Sequence, residues 1–354
     1  MNILFIVPYP EGKAPSQRFR FEQYLPFLKE KGWNYTLAPF LDNATWTILY
    51  KQGYTLKKAA GVLTGFLRRL FLLFNLGKYD FVFIHREAAP LGPPVFEYII
   101  TKVLKKKVIY DFDDAIWMED SAGNNKIVSG IKWYDKVKSI CRWAYKISAG
   151  NTYLSNFALQ FNKQVILNPT TIDTLNLHNE VKDQDTKRIV IGWTGTHTTL
   201  RHLAIVTPVI AALEKKYDFD FCVISNAAPE LPLRSLKFKP WKKETEIEDL
   251  LSFNIGLMPL EDDAWAKGKC AFKALQYMAL GIPAIVSPVG MNSEVVDNGK
   301  NGFICNTEAE WYNAIETLLT QPEVRRSQGK AARGKIIDNY SVLANQQNFL
   351  KLFS

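Results

Sequence analysis

The chain has 354 residues, of which 47% are hydrophobic and 22% are charged, as in ordinary globular proteins. This length predicts two domains, and the composition excludes a disordered or low-complexity protein. The formal net charge is +9, and it is uneven, because residues 1–168 hold 23 Lys and Arg against 13 Asp and Glu. We therefore expect the first half to meet something acidic: a membrane surface, a phosphorylated acceptor or, as a weaker alternative, nucleic acid.

The N-terminus and the cysteines indicate where the protein resides. The opening residues, MNILFIVPYP, lack the basic start and long apolar run of a signal peptide, and no run of about 20 apolar residues predicts a spanning helix. The four cysteines (Cys141, Cys222, Cys270 and Cys305) are far apart and form no CxxC pair. This pattern favours buried free thiols in a reducing, cytoplasmic compartment over a metal site or disulfides.

Short apolar runs alternate with helical patterns along the whole chain. Most of these runs are unbroken, which is typical of strands buried on both faces of a parallel sheet. The predicted strands are 3–7, 35–38, 81–84, 107–110, 145–149, 164–167, 188–193, 220–224, 253–258, 283–287 and 302–305. Strands that alternate with helices predict βαβ units, so the expected fold class is α/β with two doubly wound, Rossmann-like parallel sheets.

A polar stretch, NPTTIDTLNLHNEVKDQDTK, precedes the second series of strands and marks the domain boundary. We predict an N-terminal Rossmann-like domain at 1–170, a linker at 171–187, a C-terminal Rossmann-like domain at 188–335 and a last helix within 336–354. Two domains of this kind leave a cleft, and the carboxyl ends of both sheets are expected to face it.

The loop after the first strand carries candidate acceptor ligands. Arg18 and Arg20 follow that strand, and a pair of arginines suits a phosphate or carboxylate on an acceptor. The alternative is that they pair with nearby acids such as Glu22.

The segment YDFDDAIW, residues 110–117, follows another predicted strand, so its carboxylates should reach the same cleft. Asp113 is a candidate for positioning an acceptor or accepting its proton, with Asp114 beside it. Loop and helix capping is the alternative for both. Asp111 and Asp113 also imitate a DxD metal motif, but the surrounding pattern is wrong for it, and we expect no metal. His85 ends a strand and is a further candidate for this region.

The loop GWTGTHTTL, residues 192–200, opens the second domain. Gly195 and the threonine-rich helix start are predicted to line the phosphates of a donor. His197 is in the right loop to contact the donor or its sugar, although a surface position is the alternative.

Further on, Lys269, Lys273 and Gln276 are spaced i, i+4 and i+7 on one face of a predicted helix. Two cations near a helix start, beside glycine-containing loops, fit a diphosphate. Gln276 is placed to hydrogen-bond a ribose hydroxyl. The alternative is that both lysines belong to a solvated helix face.

The stretch ALQYMALGIPAIVSPVGMNSEVVDNGKNGF, residues 274–303, resembles the donor-site signature of the group 1 retaining glycosyltransferases, which have the GT-B fold and are often called family 4. That signature is close to E-x7-E, A-M-A-x-G-x-P-V-V, G-G-x-x-E and G-x-N-G. The resemblance implies metal-independent transfer from a nucleotide-sugar, with no other cofactor. It implies an acceptor-binding domain at 1–170 and a nucleotide-sugar-binding domain at 188–335, and it suggests that the last helix, within 336–354, packs back on the N-terminal domain. It implies donor binding by the glycine loop at Gly290 and by Glu294, besides Lys269, Lys273 and Gln276.

The chain departs from this signature at both glutamates of the E-x7-E pair. The second falls on Gln276, whose amide can still donate to and accept from a hydroxyl. The first falls on Gly268, which has no side chain, so its role would pass to Glu261, Asp262 or Asp263. In relatives, a histidine close to the sugar aligns with Asp113.

Residues 51–78 contain six Lys and Arg and no acid around an apolar centre, as in helices that lie on anionic lipid. Residues 126–146 form a second basic and aromatic stretch. The alternative is that both are amphipathic helices packed on a sheet. Nucleic-acid binding is not expected, because the chain has no recognisable module for it.

These patterns predict a hexosyltransferase-like enzyme that moves a sugar from a nucleotide-sugar to a glycan or lipid-linked acceptor, in surface polysaccharide or glycan biosynthesis. It would be cytoplasmic, with peripheral binding to the inner face of the membrane left open. Two alternatives stay open: a catalytically degenerate carbohydrate-binding or scaffold protein, and a nucleotide-sugar epimerase on the same fold.

Overall fold

The computed structural model of the protein describes residues 1–49, 51–119 and 132–354. The chain divides into two compact units, the first formed by Met1–Thr170 with Gln346–Ser354 and the second by Thr171–Asn345. Each unit is built on one six-stranded sheet whose neighbouring strands are all parallel. The predicted class, α/β with two doubly wound parallel sheets, is therefore confirmed. The predicted linker residues 171–187 fall inside the second unit.

The first unit orders its strands β2-β1-β3-β4-β5-β6. These strands are β1 Asn2–Val7, β2 Asn34–Pro39, β3 Phe81–His85, β4 Lys107–Phe112, β5 Lys146–Ala149 and β6 Val165–Leu167. Its α-helices are Pro15–Arg18, Leu25–Glu30, Asn43–Ile48, Thr55–Leu73, Val95–Tyr98, Lys136–Trp143 and Thr152–Leu159. Strands β1 and β3 are buried on both faces along almost their whole length, whereas β2 and β6, at the two edges of the sheet, are partly exposed.

The second unit orders its strands β12-β11-β10-β7-β8-β9. These are β7 Ile189–Gly195, β8 Phe219–Ser225, β9 Leu236–Pro240, β10 Ile255–Met258, β11 Ala284–Val286 and β12 Gly302–Ile304. Its α-helices are Thr207–Leu213, Glu246–Leu251, Phe272–Ala279, Asn292–Val295, Glu308–Thr320 and Pro322–Lys335, and the helix Val342–Leu350 leads back into the first unit. Strand β9 was not predicted, because it is an edge strand with mostly exposed residues and no apolar run.

All four cysteines are buried free thiols, as the sequence predicts. Burial raises the pKa of the Cys141 and Cys305 thiols to about 12. Thiols with such a high pKa hold almost no thiolate at neutral pH and are poor nucleophiles.

The last residues of the chain complete the core of the first unit. Phe349 stacks on Tyr24 with ring centroids 4.3 Å apart, and Phe353 lies 6.4 Å from Phe5 and 6.3 Å from Phe83. Both phenylalanines are almost fully buried. Residues 346–354 therefore pack on the first sheet, whereas residues 336–345 belong to the second unit.

The helix Thr55–Leu73 packs on the first unit through two glycines and a buried arginine. A Cβ at Gly65 would lie 2.6 Å from the Phe40 ring, so only glycine allows this close approach. One turn further, the Arg69 guanidinium donates hydrogen bonds to the carbonyls of Ala88 at 2.6 Å and Val7 at 2.8 Å. Arg69 is 2% exposed, and its burial lowers its pKa to about 9. One face of this helix is thus fixed to the ends of the strands.

A buried ionic network lies at the carboxyl ends of β3, β4 and β5. The Asp111 carboxylate accepts hydrogen bonds from Arg20 Nη2 at 2.5 Å and Ser148 Oγ at 2.6 Å, and lies 2.7 Å from His85 Nδ1. Burial alone would raise the pKa of Asp111, but Arg20 and then His85 hold it well below its usual range. Arg20 is 1% exposed. The position of Arg20 does not fit the acceptor contact that the sequence suggested, because its guanidinium binds a carboxylate in the core that is distant in sequence.

Replacing Gly65 by alanine should destabilise the first unit. The new methyl group would overlap the Phe40 ring, and overpacking of this kind costs roughly 1–3 kcal/mol. Gly77→Ala is the matched control, because nothing lies within 4 Å of a Cβ at that position. Urea unfolding of both variants measures the difference, and equal stabilities would contradict the packing described for this helix.

Breaking the buried network from one side should cost more than removing both partners. Arg20→Met leaves the Asp111 carboxylate buried without its cation, which should cost about 3–5 kcal/mol of unfolding free energy. Adding Asp111→Asn removes that uncompensated charge and should recover part of the loss. A double variant less stable than Arg20→Met, in chemical denaturation at neutral pH, would show that the ion pair is not what Arg20 is needed for.

Candidate functional site

The loops after four neighbouring strands of the second unit meet at one sheet edge. Strands β11, β10, β7 and β8 lie side by side and are parallel, so the segments that follow them leave the sheet in the same direction. These segments carry Gly195, His197, Lys269 and Gly290. The structure thus collects most of the predicted donor-binding residues in a single region, the usual ligand-binding edge of such a sheet.

The turn after β7 is held by side-chain caps. Thr196 and Thr199 form a capping box at the start of the 3-10 helix His197–Ile205. A Cβ at Gly195 would lie 2.7 Å from Thr199 Oγ1 and would overlap the Trp193 ring, so glycine is needed for this tight turn. The backbone N–H groups of Thr196, His197 and Thr199 all donate to acceptors within the protein, so the prediction that this helix start lines the phosphates of a donor stays a prediction.

His197 is exposed and is held by the loop after β8. Its backbone N–H donates to Asn226 Oδ1 at 2.7 Å, and its ring Nδ1 lies 3.1 Å from Asn226 Nδ2. This position is compatible with both interpretations of His197, a contact with the donor and a plain surface position, since an exposed ring on a fixed loop can contact a ligand.

The helix that carries Lys273 begins later than the sequence pattern indicates. It runs from Phe272 to Ala279, and Ala271 before it has a left-handed backbone with φ 53°. Lys269 therefore lies before the helix, in extended backbone, and not one turn along the same face. The prediction that Lys269, Lys273 and Gln276 share one helical face is wrong for Lys269. Gln276 is on the helix and is 2% exposed.

Each of the two lysines lies against an indole ring. Lys273 Nζ is 5.5 Å from the Trp193 ring centroid, and Lys269 Nζ is 5.1 Å from that of Trp265. Both lysine side chains are half-buried. In cation–π contacts of this type, the face of the indole ring attracts the ammonium group.

His202 is a buried histidine whose pKa depends on the charged groups of this region. It is 4% exposed, and its Nδ1 accepts a hydrogen bond from the Glu261 N–H at 3.4 Å. Burial lowers the pKa of His202 to about 4, with further lowering by Arg201, Lys273 and Lys269 that Asp263 opposes in part. His202 is therefore neutral at pH 7, and three cations, Arg201, Lys273 and Lys269, lie close enough to act on it.

The loop after β11 packs directly on the segment that contains Lys269. Gly290 has φ 60°, and a Cβ there would lie 2.9 Å from the Lys269 carbonyl and 3.0 Å from that of Ala266. The Met291 N–H donates to the same Lys269 carbonyl at 3.3 Å. The glycine is thus required by packing between the two loops. Glu294 lies in the following short helix and is exposed.

Three acids stand near Gly268, the position where the family signature has its first glutamate. Asp263 caps the turn by accepting from the Ala266 N–H at 2.6 Å, and Asp262 lies 3.3 Å from Lys267 Nζ. Glu261 is exposed beside His202. Asp262 and Asp263 thus already have local contacts, and the prediction that one of the three acids replaces the missing carboxylate stays a prediction.

In the first unit, Arg86 binds both predicted catalytic aspartates. Arg86 Nη2 lies 2.8 Å from Asp113 Oδ1 and 2.8 Å from Asp114 Oδ2, and Arg86 Nε donates to Asp113 at 2.9 Å. Burial alone would lower the pKa of Arg86, but the two carboxylates raise it above its ordinary value. Arg86 thus fixes the positions of both carboxylates. The sequence pattern gave no role to Arg86, which directly follows β3.

Arg18 lies in the short helix Pro15–Arg18, is half-buried and packs its guanidinium 5.0 Å from the Phe19 ring centroid. Its charge acts on Glu22, the acid that the sequence offered as its alternative partner. Within the described residues, no group of three or more His, Cys, Asp or Glu side chains could hold a metal ion. The expectation that no metal takes part stays a prediction.

Residues 236–335 match the sequence profile of the family described as glycosyl transferases group 1. This match includes Lys269, Lys273, Gln276, Gly290 and Glu294. A curated relative, spore coat protein SA of Bacillus subtilis (strain 168), is 33% identical over 79 residues, which is 22% of this chain and 21% of the relative. The match thus spans about a fifth of that relative's length.

Solved glycosyltransferase structures share the fold over nearly the whole chain. Sucrose-phosphate synthase from Thermosynechococcus elongatus has a TM-score of 0.69 at 13% identity, over 99% of this chain and 98% of its own. Anabaena Alr3699/HepE in complex with UDP-glucose also has a TM-score of 0.69, at 15% identity, over 99% of both chains. Residues 236–335 are therefore similar to group 1 glycosyl transferases, and the chain as a whole has the two-domain GT-B fold of the solved glycosyltransferases.

Proposed function

We propose that the chain is a glycosyltransferase that moves a sugar from a nucleotide-sugar to a glycan or lipid-linked acceptor. The observation that carries this proposal is the edge of the second sheet, where Lys269, Lys273 and Arg201 lie close together around the buried His202. A nucleotide-sugar brings two phosphates, and fixed cations at the carboxyl edge of a parallel sheet are suited to bind them. Anabaena Alr3699/HepE, which has the same fold, was solved in complex with UDP-glucose.

The donor is held by charge and by backbone donors. Lys269 and Lys273 contact the diphosphate, and the loops at Gly195 and Gly290 bring the backbone close to it. Gln276 and Glu294 follow the positions that the resemblance assigns to the nucleotide-sugar, and Gln276 hydrogen-bonds a ribose hydroxyl with its amide. Support for this set comes from the shared sheet edge and from the group 1 match that contains these residues.

Transfer is promoted mainly by electrostatic stabilisation of the leaving diphosphate. As a nucleoside diphosphate leaves, negative charge grows on its terminal phosphate, and the lysines stabilise that charge more in the transition state than before. The first unit binds the acceptor, with Asp113 accepting a hydrogen bond from its hydroxyl and Arg86 fixing the carboxylate. The resemblance to group 1 enzymes supports retention of configuration and a reaction without a metal.

The glycine at position 268 favours an alternative function, and the experiment must be able to detect it. Without the first glutamate of the signature, the chain would bind donor or sugar but fail to transfer it, as a carbohydrate-binding or scaffold protein. A nucleotide-sugar epimerase on the same fold would show turnover in the absence of any acceptor. We include a role in surface polysaccharide or glycan biosynthesis in the proposal. That role does not distinguish the transferase from the binding protein or the epimerase.

Lys273→Ala should weaken donor binding by about 10- to 100-fold, because a charged hydrogen bond contributes roughly 1.5–3 kcal/mol. The measurement is thermal stabilisation by UDP, GDP, ADP and CMP, followed by calorimetric titration of the one that binds. Lys237→Ala is the matched control, since Lys237 is an exposed lysine on edge strand β9. Equal affinities of the Lys273→Ala variant and the unaltered chain would remove Lys273 from the donor site.

The same residue should control the titration of His202. Lys273→Ala removes a positive charge that lowers the pKa of His202, so that pKa should rise from about 4 towards its ordinary value. A bound nucleoside diphosphate should raise it in the same direction, because its negative charges favour the imidazolium. NMR titration of the imidazole between pH 3 and 8 measures both pKa changes, and the His202→Gln variant assigns the signal. A change of 1 pKa unit corresponds to about 1.4 kcal/mol of interaction free energy. An unchanged His202 pKa in the presence of saturating nucleotide would put the phosphates elsewhere.

A further inference from the structure

The helix Thr55–Leu73 presents two opposite faces of very different character. Gly61, Gly65 and Arg69 are four residues apart and lie on the face that packs on the first unit; a Cβ at Gly61 would overlap the Thr45 side chain. At about 100° per residue, the positions around Leu63, Leu67 and Phe74 lie on the other side of the helix axis. The helix is therefore packed on the first unit by one face, and its opposite face points outward.

The outward face is a continuous apolar stripe. Its large side chains, with their exposed fractions, are Leu56 86%, Leu63 62%, Leu67 46%, Leu70 47%, Phe71 65% and Phe74 80%. Ala59 and Ala60 fill the positions between them and are also exposed. Scattered exposed leucines are ordinary on a protein surface, but an unbroken stripe along five helical turns indicates a surface that contacts something apolar.

The apolar surface continues beside the helix. Phe66, on the flank of the stripe, packs on Phe96 with ring centroids 6.2 Å apart. An open groove of about 500 Å³ lies there, lined only by Phe66, Leu91, Gly92, Pro93, Val95 and Phe96. Val95 and Tyr98, which follow the groove, are about half exposed.

Basic side chains surround this surface. Residues 51–78 and 99–107 contain no acid, and Lys51, Lys57, Lys78, Lys102 and Lys105 are all exposed. The Lys106 ammonium donates to the carbonyls of Gly77 and Tyr79, which brings the second basic segment to the end of the helix. Arg68, at the edge of the stripe, pairs with Asp42 and is neutralised.

We propose that this face is a docking site for an anionic lipid bilayer, with the helix lying flat in the interface. Leucine and phenylalanine side chains would enter the acyl region while the lysines remain among the anionic headgroups. A second copy of the chain is a poor occupant, because two such basic rims would face and repel each other. No described helix has both the length and the apolar content that a membrane crossing needs. The docking is thus peripheral, and it extends beyond the transfer reaction proposed above without depending on it.

The second basic stretch of the sequence is not part of this site. Residues 126–131 of that stretch lie outside the described residues, and the remainder includes the helix Lys136–Trp143. In that helix, Lys136 is buried and paired with Glu87 at 2.7 Å, as expected for a helix packed on the sheet.

Flotation of the full chain with lipid vesicles tests the proposal. Vesicles of phosphatidylcholine with phosphatidylglycerol should carry the protein to the top of the gradient, and vesicles of phosphatidylcholine alone should carry about ten-fold less. The Phe71→Ser/Phe74→Ser variant should lose binding by at least about ten-fold, since most of the inserted aromatic surface is removed. Both side chains are largely exposed, so the variant should keep the melting temperature and nucleotide binding of the unaltered chain.

Leu159→Ser/Leu343→Ser is the matched control, because these leucines are 52% and 59% exposed on other helices. It should float like the unaltered chain. Three results would overturn the proposal: no flotation with the anionic vesicles, equal flotation of the Phe71→Ser/Phe74→Ser variant, or a dimer in light scattering that this variant dissociates. The last result would identify a second copy as the occupant. A folded chain that floats but binds no nucleotide would leave the docking site intact and contradict only the transferase.

Discussion

Parallel strands impose one constraint on which the candidate sites of this chain depend: every strand in a sheet delivers its following loop to the same edge. In the second unit, this brings the segments after β7, β8, β10 and β11 together, although about 100 residues separate the first from the last. In the first unit, the same constraint puts His85 and Asp111 in contact at the ends of β3 and β4. A ligand-binding edge is thus a property of the topology, and the loop side chains decide what it binds.

The two edges handle charge in opposite ways. In the first unit, cations and acids neutralise each other: Arg20 binds Asp111, and Arg86 binds Asp113 and Asp114. In the second unit, Arg201, Lys273 and Lys269 lie close enough to a buried histidine to lower its pKa, in addition to the larger effect of burial. An edge where carboxylates bind arginines suits a polar, uncharged group such as a hydroxyl, whereas several cations at one edge suit phosphates. This contrast supports our proposal that the acceptor and the donor bind to different units.

The sequence predicted well what depends on local pattern. All the predicted strands are present, because a run of apolar residues is itself the signal of a strand buried on both faces. It failed where a partner is distant in sequence. In the sequence, Arg20 looks like a surface arginine, because Asp111, its partner in the core, lies 91 residues away. Helical spacing placed Lys269 on the same face as Lys273, but the left-handed backbone at Ala271 ends that periodicity, and no composition signal marks it. Edge strand β9 lacked the apolar run on which the other predictions relied.

The path of the chain has a consequence for how the protein is made. The chain leaves the first unit after Thr170 and returns to it at Gln346, so the second unit is inserted into the first. Phe349 and Phe353, which fill space beside Tyr24 and Phe5, are synthesised after the whole second unit. During synthesis, the second unit can therefore close its core while the N-terminal sheet still exposes the apolar surface that these two rings cover. The unit that begins first is thus completed only after the unit that is inserted into it.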